Sequence, residues 1–220
     1  MPYNNNTTPQ QAVILFTRYP QAGKVKTRMI ERLGPQGAAN LHDQLTKQVL
    51  NNLNPILQTN QVQLQVCYCG GSEEEVEDWL GKDILLAQQQ GNDLGERMQH
   101  AFEHSWQQGV NRVLLVGSDC PAITTSIINQ GLEQLCIHDL VLGPAMDGGY
   151  YLIGLNKYLS KKNTNYACLF HNIDWGSKRV LAQTLEQARE NNLSFALLPQ
   201  LHDIDRPEDL VHLNYHPNPQ

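Results

Sequence analysis

The sequence predicts an α/β protein with a mostly parallel sheet and at least one hairpin. Two patterns carry that expectation. Short apolar runs of strand length alternate with longer segments whose apolar residues recur at helical spacing. Two further apolar runs, within residues 139–155, flank Asp147-Gly148-Gly149, a tight-turn signal between antiparallel neighbours.

Taken in order, residues 1–11 are polar and Asn-rich and are expected to be flexible. Residues 12–17, AVILFT, read as a buried strand, and RYPQAGKVKTR (18–28) follows as a loop. Ala38, Leu41, Leu45, Val49 and Leu53 set a helical stripe over 35–53. Residues 62–68, VQLQVCY, alternate as a strand does, and Ser72 with Glu75 forms a capping-box signature for a short acidic helix ending near Leu80. Residues 84–87 are a further strand. Asp93 and Glu96 have the spacing of a helix cap and its third residue, for a helix running to about Gln108. Residues 113–116 form a central strand that Gly117 ends and Pro121 bars from continuing. Thr124 or Thr125 then caps a helix carrying Ile127, Ile128, Leu132 and Leu135. After the hairpin, HNIDW (171–175) precedes a helix over 177–191, with Val180, Leu181, Thr184 and Ala188 inward. Residues 194–198 form a last strand, and HDIDRPEDL (202–210) opens a Pro-started helix. The plan is one domain over 12–213, with a flexible tail at 214–220.

Composition narrows the function. Sixteen Lys and Arg against 22 Asp and Glu give a net charge of −6, which offers no global attraction to nucleic acid or anionic membrane. No apolar run approaches membrane-spanning length, and MPYNNNTTPQQ lacks signal-peptide architecture, so a cytoplasmic protein is expected. The five cysteines are an odd count without zinc spacing and read as reduced and structural.

Against that acidic background, Arg18, Lys24, Lys26 and Arg28 cluster directly after the first strand. Gly23 permits close backbone approach, and the cations offer charge-assisted bonds to a polyphosphate; the alternative is a solvated loop. The Walker spacing is absent. Asp119 falls just past the end of the central strand, at the sheet edge where ligands bind in open α/β sheets. A carboxylate there suits Mg²⁺ shared with substrate phosphates, or else it caps a turn beside Ser118. Lying beyond the strand, it is expected to be dispensable for folding. Asp147 is either a turn residue or a carboxylate near the cation, and Asp205 has the position of a helix cap. His100, Glu103 and His104 match H-x-x-E-H. Leu94, Met98, Ala101, Phe102 and Ser105 gather on the opposite, inward face, so a zinc centre is not expected there.

Six motifs in order, RYPQAGKVKTR, QGNDLGERM, VGSDCP, LGPAMDGGYYLIGL, IDW and DIDRPEDL, give the chain over 12–212 a resemblance to a known family. It resembles a bacterial family assigned as glycosyltransferases, with the nucleotide-diphospho-sugar transferase fold, and more distantly the guanylyltransferases for phospholactate and molybdenum cofactor. The resemblance implies a three-layer, GT-A-like and Rossmann-like fold. It implies that Asp119 and Asp205 hold a metal, and that Arg18, Gly23, Lys26 and Arg28, with Asp93 and Arg97, bind nucleotide and phosphates. It aligns Asp147 with the D-G-G motif. Arg206 departs from the pattern, standing where Thr is usual in D-x-D-T-P-E-D-L endings.

The expected activity is glycosyl transfer. A nucleotide-sugar donor would be held with Mg²⁺ or Mn²⁺ at Asp119, and Asp147 would deprotonate a small-molecule acceptor. Nucleotidyl transfer to a phosphorylated small molecule, releasing pyrophosphate, uses the same groups. A non-catalytic nucleotide-binding protein is a third reading.

Overall fold

The computed structural model describes residues 10–57, 62–159 and 166–213. Seven strands form one sheet in the order β3-β2-β1-β4-β6-β5-β7: β1 (Gln11–Arg18), β2 (Val62–Cys69), β3 (Leu85–Gln88), β4 (Arg112–Gly117), β5 (Leu140–Pro144), β6 (Tyr150–Asn156) and β7 (Phe195–Leu197). All neighbours are parallel except β6, which runs against β4 and β5. The expected α/β class, mixed sheet and hairpin are therefore present.

The side chains of β1 divide the core in two, as a pleated strand must. Ala12, Ile14 and Phe16 pack with Met98, Ala101 and Phe102 of α3 (Leu94–Gln107) and Ala188 of α5 (Val180–Glu190). Val13 and Leu15 pack with Val49 and Leu53 of α1 (Ile30–Leu57) and Ile128 and Leu132 of α4 (Thr125–Gln134). Helices thus cover both faces, giving three layers. A third apolar cluster, Met29, Ala38, Leu41, Leu45 and Ile204, lies where the loop after β1 meets the end of the fold.

The caps follow the sequence. Ser72 and Glu75 form the reciprocal box of α2 (Glu73–Leu80), Asp93 accepts from the Glu96 N–H, and Thr124 accepts from the Ile127 N–H. Several boundaries differ. β1 begins at Gln11, inside the expected flexible start; the rest of that start and the tail, 1–9 and 214–220, lie outside the described residues. α1 reaches back to Ile30 across a kink at Gly34 (φ 70°), because Pro35 keeps the preceding residue out of helical geometry while Ile30 to Leu33 still form a turn. α5 starts at Val180 because Ser177 accepts the Arg179 N–H and holds the preceding residues in a turn. The C-terminal helix is a 3₁₀ segment, Pro207–His212, and its cap is Asp209, which accepts from the N–H groups of Asp205 and Arg206. Asp205 is therefore not the cap. Leu94, expected inward, is exposed at the first position of α3.

Candidate active site

Strand order reverses between β1 and β4: the chain builds β1, β2 and β3 outward on one side, then returns to place β4 on the other. The crevice beyond the carboxyl ends of strands at such a switch point is where open α/β sheets bind ligands. The loop after β1 and Asp119 after β4 flank it.

Two buried apolar anchors, Val25 and Met29, pin the loop to the body. Gly23 (φ 79°) sits in a turn closed by the Lys24 N–H and the Gln21 carbonyl, where it and Lys24 are exposed. Between the anchors Lys26 has left-handed backbone angles (φ 45°, ψ 44°), uncommon for a side-chain-bearing residue. Its side chain is 2 % exposed. Its ammonium lies 2.8 Å from Asp119 Oδ1 and 3.9 Å from Asp205 Oδ1, and donates to the Ile204 carbonyl at 2.5 Å. Arg28 pairs with the other oxygen of Asp205, and the Ile204 N–H donates to the Asp119 carbonyl at 2.9 Å. One lysine thus ties together the ends of β1 and β4 and the final segment. The structure makes Asp119 the counter-ion of a buried ammonium, so its replacement is expected to cost stability, against the reading that it is dispensable for folding. Breaking such a pair leaves a charge stranded.

Asp119 Oδ1 is sealed from solvent while its side chain as a whole is 45 % exposed, so the open part of the carboxylate faces the crevice. Burial pushes its carboxyl up, but Lys26, His42 and Arg18 outweigh that and hold it below the usual carboxylate range. His42 stands behind it, in α1. Its Nε2 lies 2.9 Å from the Arg18 carbonyl and 3.3 Å from Thr17 Oγ1, which also meets Thr46. Its Nδ1 has no hydrogen-bond partner and sits 3.8 Å from Asp119 Oδ1. Burial lowers the His42 pKa against the upward pull of Asp119. Sequence reasoning passed over His42. The available signal was two polar residues, His42 and Thr46, on the apolar stripe set by Ala38, Leu45 and Val49.

Asp147 is exposed at the hairpin tip, where its Oδ1 accepts the Gly149 N–H at 2.8 Å, so its turn role is present. No hydrogen bond or ion pair among the described residues joins it to the Lys26 cluster. Asp203 feels the charges of both Asp147 and Asp205. Burial, then Asp147, Asp205 and Asp209, push its carboxyl up. A raised folded pKa stabilises below the unfolded value and costs stability as pH rises through the folded one. Asp203→Asn is therefore expected to raise the melting temperature at pH 7, with the gain shrinking as the pH falls through the raised folded pKa and gone below the unfolded value of about 4. A gain that persists at low pH would point to packing instead of charge.

Asp93 serves as the α3 cap, and Arg97 Nε donates to the Gly91 carbonyl. No hydrogen bond or ion pair among the described residues links either to the Lys26 cluster. His100 Nδ1 meets the Gln90 carbonyl, His104 meets Gln108, and Glu103 accepts from Gln99, so the H-x-x-E-H residues are used locally on the outer face. Among the described residues no three His, Cys, Asp or Glu side chains converge as a ready metal centre. Asp119 and Asp205 do converge on one cation. Their hard oxygens, with part of the Asp119 carboxylate open to solvent, fit a Mg²⁺ or Mn²⁺ ion whose remaining ligands come from phosphates and water. No helix among the described residues is long and apolar enough to cross a membrane.

Comparison with known proteins agrees with this architecture. The family model described as an uncharacterized protein conserved in bacteria (DUF2064) matches residues 52–177, more than half of the chain. A crystal structure of a candidate nucleotide-diphospho-sugar transferase from Desulfovibrio desulfuricans G20 is 36 % identical over 90 % of this chain and 84 % of its own, with a TM-score of 0.82. Two more distant structures show the fold alone. A nucleotidyl transfer enzyme from Methanothermobacter is 15 % identical over 93 % of this chain and 96 % of its own (TM-score 0.57). The 4-diphosphocytidyl-2C-methyl-D-erythritol synthase from Anaerococcus prevotii is 10 % identical over the same shares (TM-score 0.58). No curated protein matches.

Proposed function

Because the chain belongs to the bacterial DUF2064 family, we propose that it is a transferase that moves a sugar from a nucleotide-diphosphate-sugar donor to a small-molecule acceptor. The observation that carries this reading is the cluster of Lys26, Arg28, Asp119 and Asp205 at the switch point. It supplies cations for a diphosphate and carboxylates for a divalent ion at one place. Asp119 and Asp205 would hold Mg²⁺ or Mn²⁺, which when bound supplies charge neutralisation for a departing nucleoside diphosphate. Arg18, Lys24 and Arg28 offer exposed charge to the donor phosphates, and Gly23 leaves the backbone open to close approach. Asp93 and Arg97, beyond β3, are assigned to the nucleoside side. Asp147 would accept the acceptor's proton through the oxygen its turn does not use. The five cysteines, all free of disulfides, are in keeping with a cytosolic setting.

The turn role of Asp147 also favours a second reading. A phosphate acceptor is already anionic and needs no base, so nucleotidyl transfer would run on the Lys26 cluster alone. The two separate on what leaves. Incubation with a panel of nucleotide sugars and nucleoside triphosphates, plus Mn²⁺, is expected to release nucleoside diphosphate from one sugar donor. Pyrophosphate from a triphosphate would favour the second reading. Tight nucleotide binding with neither product, across the panel and a set of sugar and phosphate acceptors, would favour a non-catalytic binding protein.

A further inference from the structure

The Asp119–Asp205 pair is electrically complete in the free protein. Two carboxylates face two cations, Lys26 and Arg28, with Lys26 reaching both acids. Lys26 is no casual partner. It is sealed between the anchors Val25 and Met29, its backbone is held in the left-handed region, and the Ile204 carbonyl fixes its ammonium from a third side. Behind Asp119 stands His42, 6 % exposed, whose unpartnered Nδ1 is aimed at the same sealed oxygen. The site is built around one buried negative oxygen, and the group that satisfies it is an amino group of the protein itself.

Building on the proposed function, we infer that Lys26 is a resident counter-cation of the metal site, so that a divalent ion enters only together with a diphosphate. A hard dication reaching Asp119 alone meets an ammonium 2.8 Å from its first ligand oxygen, and the two carboxylates that would hold it are already paired with Lys26 and Arg28. Among the described residues Lys26 has ion pairs with Asp119 and Asp205 alone, and Mg²⁺ gives up its hydration shell reluctantly. A diphosphate changes the sum. Its oxygens pair with the exposed Arg28 and set negative charge beside Lys26, which offsets the two cations while adding phosphate ligands for the ion. The lysine thereby couples donor binding to metal binding and keeps the ion out of an empty site.

Equilibrium dialysis of Mn²⁺ against the purified full chain tests this, with and without inorganic pyrophosphate as a base-free diphosphate. Wild type is expected to bind Mn²⁺ weakly alone and at least about tenfold more tightly with pyrophosphate, a difference of about 1.4 kcal/mol. Lys26→Met keeps an unbranched, flexible side chain, one atom shorter, and removes the charge. It is expected to bind Mn²⁺ alone at least tenfold more tightly than wild type does, and adding Asp119→Asn is expected to abolish that gain. Lys26→Gln is the second variant should Lys26→Met fail to fold, and the wild-type comparison requires no variant. Wild type binding Mn²⁺ equally well with and without pyrophosphate would overturn the inference while leaving the proposed metal site standing. So would a folded Lys26 variant with no gain. Absence of Mn²⁺ binding in wild type under both conditions would remove the metal from the proposed function, and the inference with it.

Discussion

Replacing Asp119 with Asn is expected to lower turnover about a thousandfold, or about 4 kcal/mol of transition-state stabilisation, and to destabilise the fold at the same time. The first effect follows from removing a charged ligand at the point where the proposed leaving group develops charge. The second follows from Lys26. With Asp119 neutral, a 2 %-exposed ammonium retains only Asp205 at 3.9 Å and the Ile204 carbonyl. Stranding one member of a fully buried pair costs roughly 3–5 kcal/mol; the part-exposed Asp119 carboxylate reduces this to about 1–3 kcal/mol. Asp205→Asn is expected to cost less stability, because its closer partner Arg28 is exposed. Thermal melting and release of nucleoside diphosphate, followed on the same preparations, check both effects. A variant that melts like wild type would mean that the Lys26–Asp119 pair contributes little. One that melts lower but keeps full turnover would place the active site elsewhere.

The fold was legible because its signals are local. Short apolar runs and period-3.6 stripes located the strands and the long helices, and Ser72, Asp93 and Thr124 each cap the helix their sequence context announced. The position of Asp119 at a ligand-binding edge was equally readable, since it needs only a strand end. What Asp119 touches was not readable. Its partner Lys26 lies 93 positions away, and Asp205 a further 86. Nothing in a basic loop distinguishes a lysine aimed at solvent from one turned inward by a left-handed backbone. Lys26 and Arg28 have the same charge and nearly the same position, yet one is sealed and the other exposed. The deciding residues are the apolar neighbours Val25 and Met29, which look unremarkable inside a cationic stretch. Asp205 shows the converse. Its cap-like position was a sound local reading, but Asp209 supplies the cap and leaves Asp205 for Lys26 and Arg28.

Gly148→Ala is expected to destabilise the protein by about 2–4 kcal/mol and to disturb the acceptor side of the crevice. Gly148 has φ 93°, and a Cβ there would run into the main chain of Lys178, meeting its carbonyl oxygen, carbonyl carbon and Cα. Backbone has no rotamer by which to give way, so one of the two segments must move. Both are committed elsewhere. The Gly148 carbonyl accepts the Leu181 N–H at 3.0 Å in the first turn of α5, and the Met146 N–H donates to the Leu201 carbonyl at 3.0 Å. That second bond, with the bridge between Ala145 and Leu201, aligns the segment that carries Asp203, Ile204 and Asp205 into the site. A shift at the hairpin tip therefore reaches both Asp147 and the Lys26 cluster, whereas a purely local turn would confine it. Gly149→Ala is the control. Gly149 lies outside the left-handed region, and its Cβ would meet the Asp147 carboxylate, with Oδ1 at 3.1 Å, a group at the end of a movable side chain. The two alanines are one residue apart, so melting temperature separates them cleanly. Equal, small losses would show that the hairpin tip yields without strain; a large loss confined to Gly148→Ala, with weaker Mn²⁺–pyrophosphate binding, would tie the turn to the site through Leu201.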